Sequence, residues 1–105
     1  MTAVWLNGKL EKLEDARVSA FDAGFQHAVG LFETMMARGS RVVHLNQHLD
    51  RLEESLRETR LSDRLKAGPL ADAIHATVAA AELETARVRL TISGGDLNLL
   101  HGGGN

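Results

Sequence analysis

Residues 46–60, Asn46-Gln47-His48-Leu49-Asp50-Arg51-Leu52-Glu53-Glu54-Ser55-Leu56-Arg57-Glu58-Thr59-Arg60, decide the fold class. Leu49, Leu52 and Leu56 fall at i, i+3 and i+7, so one helical turn after another presents leucine to the same side. Asn46 is a good helix-capping residue, and the spacing predicts a helix over Gln47–Arg60. At 100° per residue, His48, Arg51, Leu52 and Ser55 share a sector beside the leucine stripe, while Asp50, Glu53, Glu54 and Arg57 lie roughly opposite. One arginine and one histidine therefore sit at the edge of the buried face. Two readings of Arg51 follow from pattern. It pairs on the surface with Asp50, Glu54 or Ser55, or it meets an anion near the positive end of the helix, where a guanidinium fork and helix donors converge.

Working outward, Leu31–Ala37 and Arg41–Leu45 read as strands around a Gly39-Ser40 turn. Glu33, next to Phe32, faces either solvent or a site. Before these strands, Asp22–Gly30 is punctuated by glycines and reads as irregular; Gly24 and Gly30 allow a tight turn or the close approach of a ligand. Arg17–Phe21 reads as a short extended piece. At the start, Ala3–Leu6 and Lys9-Leu10 flank Asn7-Gly8, the strongest two-residue hairpin signal. On the other side, Gly68-Pro69 opens a second helix with proline at its first position and a stripe of Leu70, Ile74, Thr77, Val78 and Ala81. Arg87–Ile92 alternates with period two and reads as a half-buried strand ended by Gly94-Gly95-Asp96. Strands, two helices and a closing strand make an α+β domain with an antiparallel sheet.

Composition excludes several classes. At 105 residues with 44% hydrophobic content, the chain suits one small domain. A formal charge of -2 and only 4% aromatic residues argue against nucleic acid as partner. Cysteine is absent, which removes disulfides and cysteine metal sites. His44 and His48 straddle a helix boundary and do not form a helical metal pair, so no metal is expected. Neither a leader sequence nor a membrane span is legible, and the expectation is a cytoplasmic location. His101-Gly102-Gly103-Gly104 imitates an esterase oxyanion loop, but no Gly-x-Ser-x-Gly elbow accompanies it. The glycine run reads instead as a flexible connection to more protein.

Five blocks of the chain, taken together, resemble the class-IV aminotransferases, the fold-type IV pyridoxal-phosphate enzymes. Val4-Trp5-Leu6-Asn7-Gly8-Lys9-Leu10 is similar to their opening strand-turn-strand, and Ala16–Phe25 to their second block. Gly30-Leu31-Phe32-Glu33-Thr34 resembles their glycine-aromatic-glutamate strand. His48-Leu49-Asp50-Arg51-Leu52 resembles their histidine-x-x-arginine-leucine helix, and Val88–Gly95 the strand and turn that close the small domain. The resemblance covers essentially the whole chain, with the blocks in family order. It departs at His27 and Val29, where many members carry Tyr and Asp, and at Gly94 and Leu99, where many carry arginines that meet the substrate carboxylate.

The resemblance implies a small N-terminal domain over residues 1–95 and the start of an interdomain linker over 96–105. The large C-terminal domain, with its Schiff-base lysine, would then lie outside this chain. Lys9, Lys12 and Lys66 do not match that lysine, so no catalytic residue is assigned. It further implies pyridoxal 5'-phosphate as cofactor, with Arg51 on its phosphate and His48 beside it. Phe32 would wall the substrate pocket, and Asp96 and His101 would border its entrance. The implied reaction is amino-group transfer between an amino acid and a 2-oxo acid, both small molecules, with aminodeoxychorismate lyase chemistry as the alternative within the family. A missing domain or second chain is the expected partner, and a homodimer the expected complete assembly. The rival outside catalysis is an interaction module derived from this domain.

Overall fold

The computed structural model describes residues 1–61 and 65–95. The chain opens with the expected hairpin: β1 (Val4–Leu6) pairs antiparallel with β2 (Lys9–Glu11), in the register Leu6 to Lys9. Asn7 at φ 48° and Gly8 at φ 103° take the left-handed conformations that a tight two-residue turn demands.

Arg17–Phe21 is not a strand. Its donors are spent locally: Phe21 N donates to the Ser19 hydroxyl at 3.0 Å and Asp22 N to the Ser19 carbonyl at 3.1 Å. With no neighbouring strand to pair, the segment turns instead. Asp22–Gly30 is likewise not irregular throughout. Asp22 caps a short helix, α1 (Ala23–His27), by accepting from Gly24 N at 2.8 Å.

β3 (Gly30–Arg38) forms the centre of an antiparallel sheet in the order β4-β3-β5, with β4 at Arg41–Val42 and β5 at Thr85–Ser93. β3 and β5 pair over their full length, from Gly30 with Ser93 to Arg38 with Thr85. β4 is shorter than the expected strand over Arg41–Leu45. His44 adopts the left-handed region at φ 56°, and the chain turns there into α2 (Leu45–Thr59). Asn46 is therefore the second residue of the helix and not its cap. The cap is His44, whose carbonyl accepts from His48 N at 3.0 Å, with no side-chain cap bond.

α3 (Ala67–Ala81) starts two residues ahead of Pro69, which stands third in the helix instead of first. Proline is still tolerated there, because the amides of the first turn have no partner within the helix.

The two long helices lie on one face of the sheet. Met35, Ala37 and Val42 from the strands meet Leu49 of α2 and Ile74 and Val78 of α3. A second cluster joins Leu52 and Leu56 to Ile92 of β5, with Leu31, Leu61, Leu65, Leu70 and Leu90 around it. The predicted leucine stripe is thus the seam of the domain, and the fold is α+β, as expected. The opening hairpin contacts α3. No helix of the described residues is long and apolar enough to cross a membrane.

Candidate functional site

Strand alternation turns Met35 and Ala37 to the helices, and the same alternation brings Glu33 to that face. Glu33 is 8% exposed and is the one buried charged residue among the described ones. A carboxylate taken out of water needs partners. α2 supplies them one helical turn apart. Arg51 Nε donates to Glu33 Oε2 at 3.0 Å, and Arg51 Nη2 donates to Oε1 at 2.7 Å, a side-on bidentate pair. His48 Nδ1 lies 2.6 Å from the same Oε1.

The hydrogen bonds from Arg51 hold the Glu33 carboxyl below its ordinary value, against the desolvation that would raise it, and His48 adds to the lowering. Glu33 in turn raises the Arg51 guanidinium further above its already high value. Glu33 is therefore ionised at neutral pH and can only accept. The proton in the short contact must belong to His48 Nδ1, which fixes the imidazole tautomer and turns Nε2 toward other partners. Arg51 Nη2 also lies 3.2 Å from His48 Nδ1. Both atoms converge as donors on Oε1.

Glu33 takes the Nε–H and one Nη2–H of Arg51. That leaves three of the five guanidinium donors, both on Nη1 and one on Nη2. The Arg51 side chain is 65% exposed, in contrast to 19% for His48. The arginine is thus anchored along its inner edge and open along its outer one. The surface partners considered from sequence, Asp50, Glu54 and Ser55, are not its partners. Nor does Arg51 sit at the positive end of the helix. It is the seventh residue of α2, beyond the first turn where the dipole acts most strongly.

Phe32 projects from the opposite face of β3, 59% exposed. The structure thus unites Arg51 and His48 but holds Phe32 apart, across the sheet. Arg89 of β5 lies over the Phe32 ring with its guanidinium carbon 4.1 Å from the centroid, a cation–π contact that orients the ring. Asp96 and His101 lie outside the described residues. Of the two faces open to Glu33 from sequence, solvent or a site, the structure gives it the site, with partners fifteen and eighteen residues away. Arg89 carried only the period-two signal of an exposed strand position.

Gly24 and Gly30 are places where the protein itself approaches closely. A Cβ on Gly30 would stand 2.8 Å from the Ile92 carbonyl oxygen, and one on Gly24 2.9 Å from Asp22 Oδ2 and 3.0 Å from Ser93 Cβ. Both glycines let the α1 segment close on the end of β5. There Ser93 Oγ donates to Asp22 Oδ1 at 2.7 Å, and Ala23 N donates to the Gly95 carbonyl at 2.7 Å.

The family model for amino-transferase class IV matches residues 30–102, more than half of the chain, and spans Glu33, His48 and Arg51. The chain belongs to this family. Over 98 residues it is 34% identical to a Methanocaldococcus jannaschii protein named "Putative branched-chain-amino-acid aminotransferase", covering 91% of this chain and 34% of that protein. Over 94 residues it is 29% identical to the aminodeoxychorismate lyase of Bacillus subtilis, covering 88% of this chain and 32% of that one. A Mycobacterium tuberculosis structure described as a hypothetical aminotransferase in its PLP-bound form shares the fold with TM-score 0.77 at 24% identity. It covers 93% of this chain and 34% of that one. The chain spans about a third of the length of the curated relatives it matches.

Proposed function

We propose that this class-IV aminotransferase chain is the phosphate-holding part of a pyridoxal-phosphate enzyme that moves an amino group between an amino acid and a 2-oxo acid. The observation that carries the reading is the half-used guanidinium of Arg51. Three N–H groups on an exposed, pre-oriented edge match the fork geometry of a phosphate dianion. That donor set fits the phosphate of pyridoxal 5'-phosphate. The PLP-bound structural neighbour supports the choice of cofactor.

Arg51 would hold the phosphate through the Nη1 and Nη2 donors that Glu33 leaves free. His48, its Nδ1–H donated in a hydrogen bond to Glu33, would stand beside it with Nε2 available. Phe32, oriented by Arg89, would shape the wall on which a substrate side chain rests, and Asp96 and His101 would border the entrance. When bound, the cofactor supplies the electron sink that the reaction needs. Residues 1–95 would form the small domain and 96–105 the start of the linker to a larger one that supplies the lysine. The complete enzyme would be a homodimer in the cytoplasm. The aminodeoxychorismate lyase relative supports a second reading, elimination on the same cofactor instead of amino transfer.

Pyridoxamine 5'-phosphate tests the phosphate assignment, because it has no aldehyde to react with Lys9, Lys12 or Lys66. Calorimetric titration should show it binding at least about tenfold tighter than pyridoxamine, the scale of a charge-assisted hydrogen-bond pair. Arg51→Ala should erase that preference. Equal affinity for the two compounds, or a preference that survives Arg51→Ala, would refute the assignment and leave the interaction-module reading in its place.

A further inference from the structure

We propose that Glu33 is the positioning residue of the anion site, holding the Arg51 guanidinium and the His48 imidazole in the orientation that receives a phosphate. The inference rests on the phosphate reading of Arg51 and goes beyond it, because charge alone argues the other way. A buried carboxylate beside an anion-binding arginine opposes the anion electrostatically. A site selected only for positive potential would not contain one.

What Glu33 supplies is order. Arginine carries rotamer freedom worth roughly thirtyfold in an equilibrium constant when it is fully immobilised. In this structure two of its donors are already fixed, Nε at 3.0 Å and Nη2 at 2.7 Å from a carboxylate that is itself 8% exposed and set in the central strand. The inner edge of the guanidinium plane is therefore held against β3, which aims the outer edge away from the sheet. The same Oε1 accepts a hydrogen bond from His48 Nδ1–H at 2.6 Å, so one carboxylate sets both the plane of the arginine and the tautomer of the histidine. Glu33 touches no ligand in this scheme and acts through its two neighbours.

Two substitutions separate order from charge. Glu33→Gln keeps the shape, removes the negative charge, and presents an amide in place of one carboxylate oxygen. If Glu33 is only an opposing charge, this variant binds inorganic phosphate more tightly than the parent. If Glu33 positions Arg51, it binds about tenfold more weakly, part of the full rotamer effect. Glu33→Asp keeps the charge but is one methylene too short to hold both donors. A charge role leaves its affinity unchanged, whereas a positioning role weakens it.

Affinity is read by 31P NMR titration of the 105-residue chain with inorganic phosphate. A second readout needs no ligand: the 15N–1H signal of Arg51 Nε and the ring nitrogen shifts of His48. The parent should give a distinct, slowly exchanging Nε–H and an Nδ1–H imidazole. In both variants the arginine signal should collapse to that of a free side chain, and the histidine tautomers should mix.

The outcomes are separable. Phosphate binding that is absent, or indifferent to Arg51→Ala, overturns the phosphate reading and the inference with it. Binding that needs Arg51 but tightens or holds steady in Glu33→Gln overturns the inference alone. So does an Arg51 Nε–H that stays ordered in that variant. Far-UV circular dichroism checks the fold of each variant. Failure of both to fold would make Glu33 a folding residue and equally overturn the proposal.

Discussion

Leu52→Ala tests whether the leucine seam that carries the site also holds the domain together. Leu52 is 1% exposed and packs with Leu56, at 2%, and Ile92, at 8%. The substitution removes roughly three methylene equivalents, about 2.4 kcal/mol of transfer free energy. The cavity left between α2 and β5 adds to this, because the surrounding residues relax only in part; the whole loss should be about 3–4 kcal/mol. A chain of this length has roughly 5–15 kcal/mol of stability in all, so the variant gives up a large share. Urea unfolding at neutral pH measures it, with far-UV circular dichroism following the helices and Trp5 fluorescence following the hairpin. For a urea slope near 2 kcal/mol/M, the midpoint should fall by about 1.5–2 M. The two probes should move together, since α3 contacts both the hairpin and the sheet. A midpoint shift below about 0.5 M, or one seen by a single probe, would refute the view that Leu52 anchors one cooperative core.

Two further outcomes follow from the geometry. Glu33 ionises more readily when folded than when unfolded, so the stability it contributes is complete above the ordinary carboxylate value of 4.5 and is lost as pH falls through its lower folded value. Thermal melts taken from about pH 6 down to about pH 3 should show that loss, and Glu33→Gln should show a shallower decline. The glycines divide by environment. Gly30→Ala forces a methyl group to within 2.8 Å of the Ile92 carbonyl oxygen and should lower stability by about 1–3 kcal/mol in thermal melts. Gly68→Ala, exposed in the first turn of α3 with open space around it, should raise stability by up to about 1 kcal/mol.

Local chemistry was legible in the sequence, and pairing at a distance was not. Asn7-Gly8 specifies its hairpin because few other dipeptides accept two positive φ angles in succession. Leu49, Leu52 and Leu56 specify a helix and its buried side together, and the alternation from Arg87 to Ile92 does the same for β5. Arg17–Phe21 misled because extended propensity makes a strand only where a neighbour accepts the ladder, and here the Ser19 turn takes the donors first. Asn46 misled because a left-handed residue at His44 starts the helix early. For the site, the helix face already placed His48 and Arg51 together. The partner of both, Glu33, depends on β3 lying beneath α2, and no local spacing encodes that. Phe32, the neighbour of Glu33 in sequence, stands on the other side of the sheet from it, because side chains alternate along β3.

β5 has β3 on one side only, so among the described residues its other edge offers an unsatisfied row of backbone donors and acceptors. The strand is nine residues long, carries Val88, Leu90 and Ile92, and contains no proline to interrupt it. Such an edge invites a second strand to continue the sheet. Arg87 and Arg89 stand exposed along it. A second copy pairing there would bring its own guanidinium groups alongside them, and like charges across strands are repulsive. The arginine that orients Phe32 thus also guards the sheet against growing by one more strand.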